Sequence, residues 1–277
     1  MASILTLLTD FGSDDAYGGT LEGAIAKLAP QLRVVTLTHG VPSHDIGAGA
    51  YWLAAAAPAF PPGTVHCVVV DPGVGTDRPL VVARVDRQLV VAPDNGLLHF
   101  LWTRGRDRRA VRVDLSPAEL DQVSPTFHGR DLIGPLAARL ALGEVQFRAV
   151  GRRLPSPQLI GELLPHGDAE GTTARVVLVD HFGNVILAVA RTPWYSPLPA
   201  AVELPGGRVL GQLVQTYAEI DGDCALLWNS AGHLEIAGNQ SSAAALLGLG
   251  PGDEVRVVWT TATPATERAR AGWVAAP

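Results

Sequence analysis

The chain has 277 residues, 47% of them hydrophobic and 17% charged, which supplies apolar mass for two cores and too little charge for a disordered chain. Its formal charge is −6, and of 21 basic residues the only lysine is Lys27, which follows Ala26 rather than a glycine loop. That excludes a phosphate-cradling P-loop, and an acidic surface repels nucleic acid.

The start, Met1 to Asp10, lacks a positively charged leader and reads as a first strand rather than a signal peptide, and the Ala-rich Ile46–Phe60 stretch is too short to span a bilayer. No membrane partner is expected. Cys67 and Cys224 lie far apart without a CxxC partner, which fits a reduced, cytoplasmic chain better than a disulfide framework or a structural zinc site.

Apolar runs of strand length fall at Ile4–Leu8, Leu32–Leu37, Val65–Val70, Leu80–Val85 and Leu89–Val91. Helical stretches at Tyr17–Leu28, Asp45–Ala57 and Leu132–Leu142 separate several of them, the last stopped by Gly143. The alternation predicts an α/β domain over residues 1–155: a mostly parallel sheet flanked by helices, with its chemistry on loops at the carboxyl ends of the strands. The one basic cluster, Arg104 to Arg109, reads as a solvated loop. Prolines and glycines then break the rhythm, and residues 156–171 read as a linker. Short strands at Ala174–Val179, Val185–Ala190, Ala225–Trp228 and Glu254–Trp259, with one small helix at Ser242–Leu247, predict a smaller β-rich, barrel-like domain over 172–260. Residues 261–277, rich in Ala, Thr and Arg, read as a loosely ordered tail.

Three clusters in the first domain carry chemistry. After the first strand, Thr9-Asp10-Phe11-Gly12 leads into Asp14 and Asp15, either of which reads as a helix cap, whereas Asp10 at the strand end either accepts hydrogen bonds from ribose hydroxyls or has only a structural role. In Val70-Asp71-Pro72-Gly73-Val74-Gly75-Thr76-Asp77-Arg78, an apolar strand delivers Asp71 to its end and the turn returns Arg78 to ion-pair distance, either for function or to pin the turn. His128, in the Gly-flanked loop Thr126-Phe127-His128-Gly129-Arg130-Asp131, is either a base or ligand or a satisfied polar residue. In the second domain, Asp180-His181-Phe182-Gly183-Asn184 and the stretch from Asn229 through Ser230 to Asn239 combine acid, aromatic face and amide, which suits a cationic or heteroaromatic ligand and equally suits turns. The G-x-S-x-G elbow, the G-x-G-x-x-G fingerprint and paired-histidine metal spacing are absent.

Taken in order, TDFG (Thr9–Gly12), VDPGVGxxR (Val70–Arg78), PDNGLL (Pro93–Leu98), TFHGRD (Thr126–Asp131), DxFGN (Asp180–Asn184) and NSxGxLEIA (Asn229–Ala237) resemble the S-adenosyl-L-methionine hydroxide adenosyltransferase family, relatives of the fluorinating and chlorinating enzymes. The resemblance covers residues 3 to 258 and implies hydrolysis of S-adenosyl-L-methionine to adenosine and methionine without metal or organic cofactor. It implies a homotrimer with substrate held between the first domain of one subunit and the second of its neighbour. By motif position Asp71, Arg78 and His128 resemble the set characteristic of the hydrolytic branch, and Asp10 the acid on the ribose diol. Thr126 and Phe127 fall in the same pocket motif. Asp180 resembles the residue facing the methionine amino group, Phe182 and Asn184 resemble adenosine contacts, Asn229 and Ser230 belong to the carboxylate-binding motif, and Asn239 falls near the adenine.

Two positions depart from the halogenating relatives: Ala231 stands where they carry an arginine, and His44 where they carry a tryptophan. The expected mechanism is in-line attack of water on ribose C5′, with neutral His128 as the base. Two other readings stay open, a 5′-halogenase and a non-catalytic nucleoside-binding protein.

Overall fold

β1 (Ile4–Thr9) is an apolar run buried along nearly its whole length, as a central strand covered on both faces must be. It begins a computed structural model that describes residues 3–114, 123–168, 171–191 and 198–260. The expected tail at 261–277 lies outside the described residues. The chain divides into two compact units, Met1–Gly161 and Glu162–Pro277.

In the first unit, β1 is followed by α1 (Tyr17–Leu28), β2 (Arg33–Thr38), α2 (Ile46–Ala56), β3 (Val65–Val69), β4 (Leu80–Val85) and β5 (Gln88–Pro93). Then come α3 (His99–Arg104), β6 (Arg108–Val113), a π-helical segment at Gly129–Ile133, α4 (Gly134–Leu142) and β7 (Gly151–Leu154). The seven strands lie in the order β2-β1-β3-β5-β4-β6-β7. The first four run parallel, and β4, β6 and β7 extend the sheet antiparallel. The change of direction comes from Asp86 and Arg87, both with positive φ (45° and 72°), which fold β4 onto β5 as a two-residue primed turn. Leu21 and Ile25 of α1 are fully buried in the core between helices and sheet, each contributing about 1.5–3 kcal/mol. Cys67 lies in the same core, unpaired, and burial pushes its thiol up to about 12, which keeps it inert.

Three local expectations need correction. Neither Asp14 nor Asp15 caps α1; its N-cap is Ala16, with no side-chain cap at all. The basic cluster is a loop only over residues 105–107, because Arg104 ends α3 and Arg108 opens β6, where its guanidinium donates to the Trp102 carbonyl at 2.7 Å and lies over the Trp102 ring. The helix expected from Leu132 begins earlier, as the π-helical turn over Gly129–Ile133, and stops where expected, at Gly143 with φ of 74°.

The second unit runs β8 (His166–Gly167), β9 (Gly171–Val179), β10 (Val185–Ala190), β11 (Pro199–Glu203), β12 (Val209–Leu210), β13 (Cys224–Trp228), β14 (His233–Gly238), α5 (Ala243–Leu247) and β15 (Glu254–Trp259). Its strands pair antiparallel in the order β12-β11-β15-β9-β10-β14-β13, with β8 on β9. Just past β12, Leu213 pairs with Leu226 of β13, so the two edges approach each other and the sheet nearly closes as a barrel around Val176, Leu187, Leu226 and Ile236. Among the described residues no helix is long and apolar enough to cross a membrane.

Candidate active site

β1 has β2 on one side and β3 on the other, so the chain leaves the carboxyl ends of β1 and β3 in opposite directions and opens a crevice there. Asp10 follows β1 and Asp71 lies two residues beyond β3. Both line a cleft of about 470 Å³ together with Thr126, Phe127 and His128. Five residues picked from three separate motifs thus meet in one place.

Asp71 and Arg78 form a two-point ion pair: Nε donates to Oδ1 at 2.7 Å and Nη2 to Oδ2. The same Nη2 also donates to His128 Nδ1 at 2.9 Å. The side chains of Asp71 and Arg78 are only 5% and 11% exposed, so this cluster is screened little by solvent. Arg78 lies on the far side of the cluster, where with His128 it borders a second cavity of about 760 Å³. His128 therefore faces both spaces. Its pKa is lowered from the ordinary imidazole value, first by burial and second by the Arg78 charge, against smaller upward pulls from Asp71 and Asp131.

The loops are held at close range. Gly75 has φ of 81°, and a Cβ there would lie 2.6 Å from the Pro125 carbonyl oxygen, so only glycine lets the Asp71–Arg78 turn meet the His128 loop. Asp131 accepts from the Ser124 N–H at 2.9 Å and from both sides of the Arg130 guanidinium, which in turn stacks on Phe127 at 4.9 Å. The π-helical turn directly after His128 is a form often found at functional sites. Asp10, 11% exposed, accepts from the His44 backbone N–H at 2.9 Å. Tyr17, half exposed, and Phe11 pack edge-on against Phe127 and give the cleft an aromatic wall.

The second-unit residues fall into two groups. Phe182, 76% exposed, Asn184 and Asn239 line a hollow of about 670 Å³ with Tyr217. Asp180 spends its bonds on its own turn, accepting from the Phe182 and Asn184 backbone and the Asn184 amide, whereas Asn229 accepts from the Ala231 and His233 N–H groups and also bonds the buried Glu235 side chain. Ser230 is exposed beside them and does not line the hollow.

Several contributing residues were not singled out from sequence. Asn95 donates to the Val70 carbonyl at 2.9 Å and so braces the peptide that presents Asp71; it stands inside the PDNGLL motif, which was the available signal. Glu235, 2% exposed, accepts from the Tyr217 hydroxyl at 3.0 Å, and burial raises its pKa. An acid within the apolar run LEIA was its signal. His39 bonds Thr9 beneath the Asp10 turn, with no motif to announce it.

An acid, a guanidinium and an imidazole locked together at the switch point of an α/β sheet are the equipment of an enzyme that orients a small nucleophile. Two family models, the SAM hydroxide adenosyltransferase N-terminal and C-terminal domains, match residues 5–151 and 174–256. Over 257 residues the chain is 38% identical to the (R)-S-adenosyl-L-methionine hydrolase of Salinispora tropica, covering 91% of this chain and 97% of that one. A crystal structure of a conserved protein from Thermotoga maritima superposes with a TM-score of 0.79 at 30% identity, covering 92% of this chain and 99% of that one. A fluorinase from Actinopolyspora mzabensis is more distant, 25% identical over 92% of this chain and 96% of that one. The chain belongs to the SAM hydroxide adenosyltransferase family.

Proposed function

We propose that this enzyme hydrolyses S-adenosyl-L-methionine to adenosine and L-methionine by attack of water on ribose C5′. The observation that carries the reading is the single Arg78 nitrogen that donates to both Asp71 and His128 beside a cleft of nucleoside size. In the reaction a water oxygen bonds to C5′ as the C5′–S bond breaks. The sulfur takes the bonding pair and leaves as a neutral thioether, and the water's two protons end as the 5′-hydroxyl hydrogen and one released proton. The leaving group needs no acid, so the protein's task is to align the water, a service worth up to about 7–11 kcal/mol of barrier.

Arg78 can only donate, so its bond to Nδ1 makes that nitrogen the acceptor and leaves the proton of the neutral ring on Nε2. His128 in this tautomer offers the water a donor, not a base. That revises the expectation that neutral His128 takes the proton; we assign proton acceptance to Asp71, the carboxylate that shares the cleft with it. Asp10, beside it in the cleft, holds the ribose diol, with Thr126 and Phe127 as neighbouring contacts.

The second unit supplies the remaining contacts in this proposal: Phe182, Asn184 and Asn239 to adenosine, and Asp180, Asn229 and Ser230 to the amino-acid end. A homotrimer that brings the second unit of one copy to the first unit of its neighbour, and a cytoplasmic location consistent with two unpaired cysteines, belong to the same proposal. The relatives' names specify the (R) form of the substrate, and we extend that preference to this chain.

The 38% identity to a hydrolase against 25% to a fluorinase favours water over halide as nucleophile. Incubation with S-adenosyl-L-methionine in chloride and fluoride buffers, followed by chromatography, decides the matter. Adenosine is expected; a 5′-halo-nucleoside or unchanged substrate would reject hydrolysis.

A further inference from the structure

The Asp10 turn rests on a histidine that lies outside the lining of the cleft. His39 follows β2, and its Nδ1 lies 2.7 Å from Thr9 Oγ1. Thr9 Oγ1 accepts from the Phe11 N–H at 3.2 Å, so its own hydrogen is free to go to Nδ1. The His39 carbonyl accepts from the Gly12 N–H at 2.7 Å, and the imidazole stacks on the Phe11 ring at 6.4 Å with 12° between the planes. Thr9, Phe11 and Gly12 are thus all held by one residue, and Asp10 is the residue between them.

The histidine is itself held in place. Its Nε2 is buried without a hydrogen bond, with Glu22 Oε1 at 3.6 Å, and that same oxygen accepts from the Thr36 hydroxyl at 2.5 Å. On its other side the ring presses on α1 at Gly18, where a Cβ would lie 2.8 Å from the imidazole. Thr9 is completely buried and cannot act as a nucleophile, so this Glu22–His39–Thr9 series has no chemical step of its own. Its effect must pass through the backbone of the turn.

We propose that His39 is a positioning residue for ribose binding: it fixes the turn that aims the Asp10 carboxylate, with Gly18 shaped to admit the ring. The assignment rests on the reading of Asp10 as the ribose-binding acid. Losing one such buried bond and its stacking corresponds to about a tenfold weakening of binding. His39→Ala is therefore expected to raise KM for S-adenosyl-L-methionine and Kd for adenosine about tenfold, while kcat stays within about threefold of the unaltered enzyme. His39→Asn, whose amide oxygen can stand in for Nδ1, is expected to recover most of that loss. Gly18→Ala, which favours the helix but crowds the ring, is expected to weaken adenosine binding in the same direction without lowering the melting temperature.

The decisive measurement is a double-mutant cycle with Asp10→Ala, read by calorimetric titration of adenosine. Positioning requires that His39→Ala costs little further affinity once Asp10 is gone. Full additivity of the two losses, or unchanged adenosine affinity in both His39→Ala and Gly18→Ala, would overturn the proposal. The hydrolase reading fails separately: an enzyme that binds adenosine but releases none from S-adenosyl-L-methionine would reject the reaction and leave the cycle able to judge His39.

Discussion

The two halves of the predicted site use the same residue types in opposite ways. In the first unit the carboxylate of Asp71 is bonded to a side chain from the end of its own turn, and that side chain reaches on to His128, 50 residues away in sequence. In the second unit the carboxylate of Asp180 is bonded to N–H groups within four residues of itself. Side chains tied to one another across loops form a device whose parts fail together, whereas side chains tied to their own turn shape a surface. The first arrangement should govern rate and the second affinity.

The largest expected effect breaks the first arrangement. Asp71→Asn removes both the ion pair and the proposed proton acceptor and should lower kcat by about 10² to 10⁴, with KM changed only a few-fold. A kcat within threefold of the unaltered enzyme would remove Asp71 from the mechanism.

Next is the acid limb of the rate. Burial and Arg78 hold the His128 pKa below its ordinary value, so the ring stays neutral down to pH values below about 6.5. The rate should be level near neutrality and fall only on further acidification, because a proton on Nδ1 would face the Arg78 N–H and break the bond that locks the cluster. Arg78→Ala removes one of the two lowering causes, so the His128 ring, followed by NMR, should titrate at higher pH than in the unaltered enzyme. A titration that moves to lower pH contradicts the assignment.

A stability effect of similar weight comes from outside both halves. His66 is buried in β3, accepting from the Thr6 hydroxyl at 2.7 Å and donating to Gln88 Oε1 at 3.3 Å, and burial lowers its pKa to about 4. A depressed histidine pKa means the unfolded chain binds the proton first, so stability is complete above about pH 6.5 and is lost as pH falls toward 4. The loss amounts to about 3 kcal/mol. Urea midpoints measured between pH 7.5 and 4.5 should show the decline, and His66→Gln should flatten it.

The smallest effect tests the second arrangement. Asp180→Ala removes acceptors for three bonds in one turn and should raise KM several-fold while kcat holds. An equal fall in kcat would merge the two halves and end the contrast between them.

The contrast also explains what could be read without coordinates. Strands buried on both faces are largely apolar runs, so β1, β3 and β10 were legible. β6, written Arg-Arg-Ala-Val-Arg-Val, is exposed along half its length, and its arginines masked it as a loop. The Asp71–Arg78 pair was legible because a seven-residue turn can close on itself. That His128 joins them rested on family resemblance, since no spacing rule connects residues so far apart. His39 was invisible because a histidine after a strand has no pattern until the packing around its ring is known.

Water as the nucleophile at C5′ is tested most directly by running the reaction in ¹⁸O-enriched water and weighing both products. The account predicts one heavy oxygen in adenosine, on the 5′-hydroxyl, and none in methionine. Unlabelled adenosine, label in methionine, or a halogen in place of the 5′-hydroxyl would contradict it.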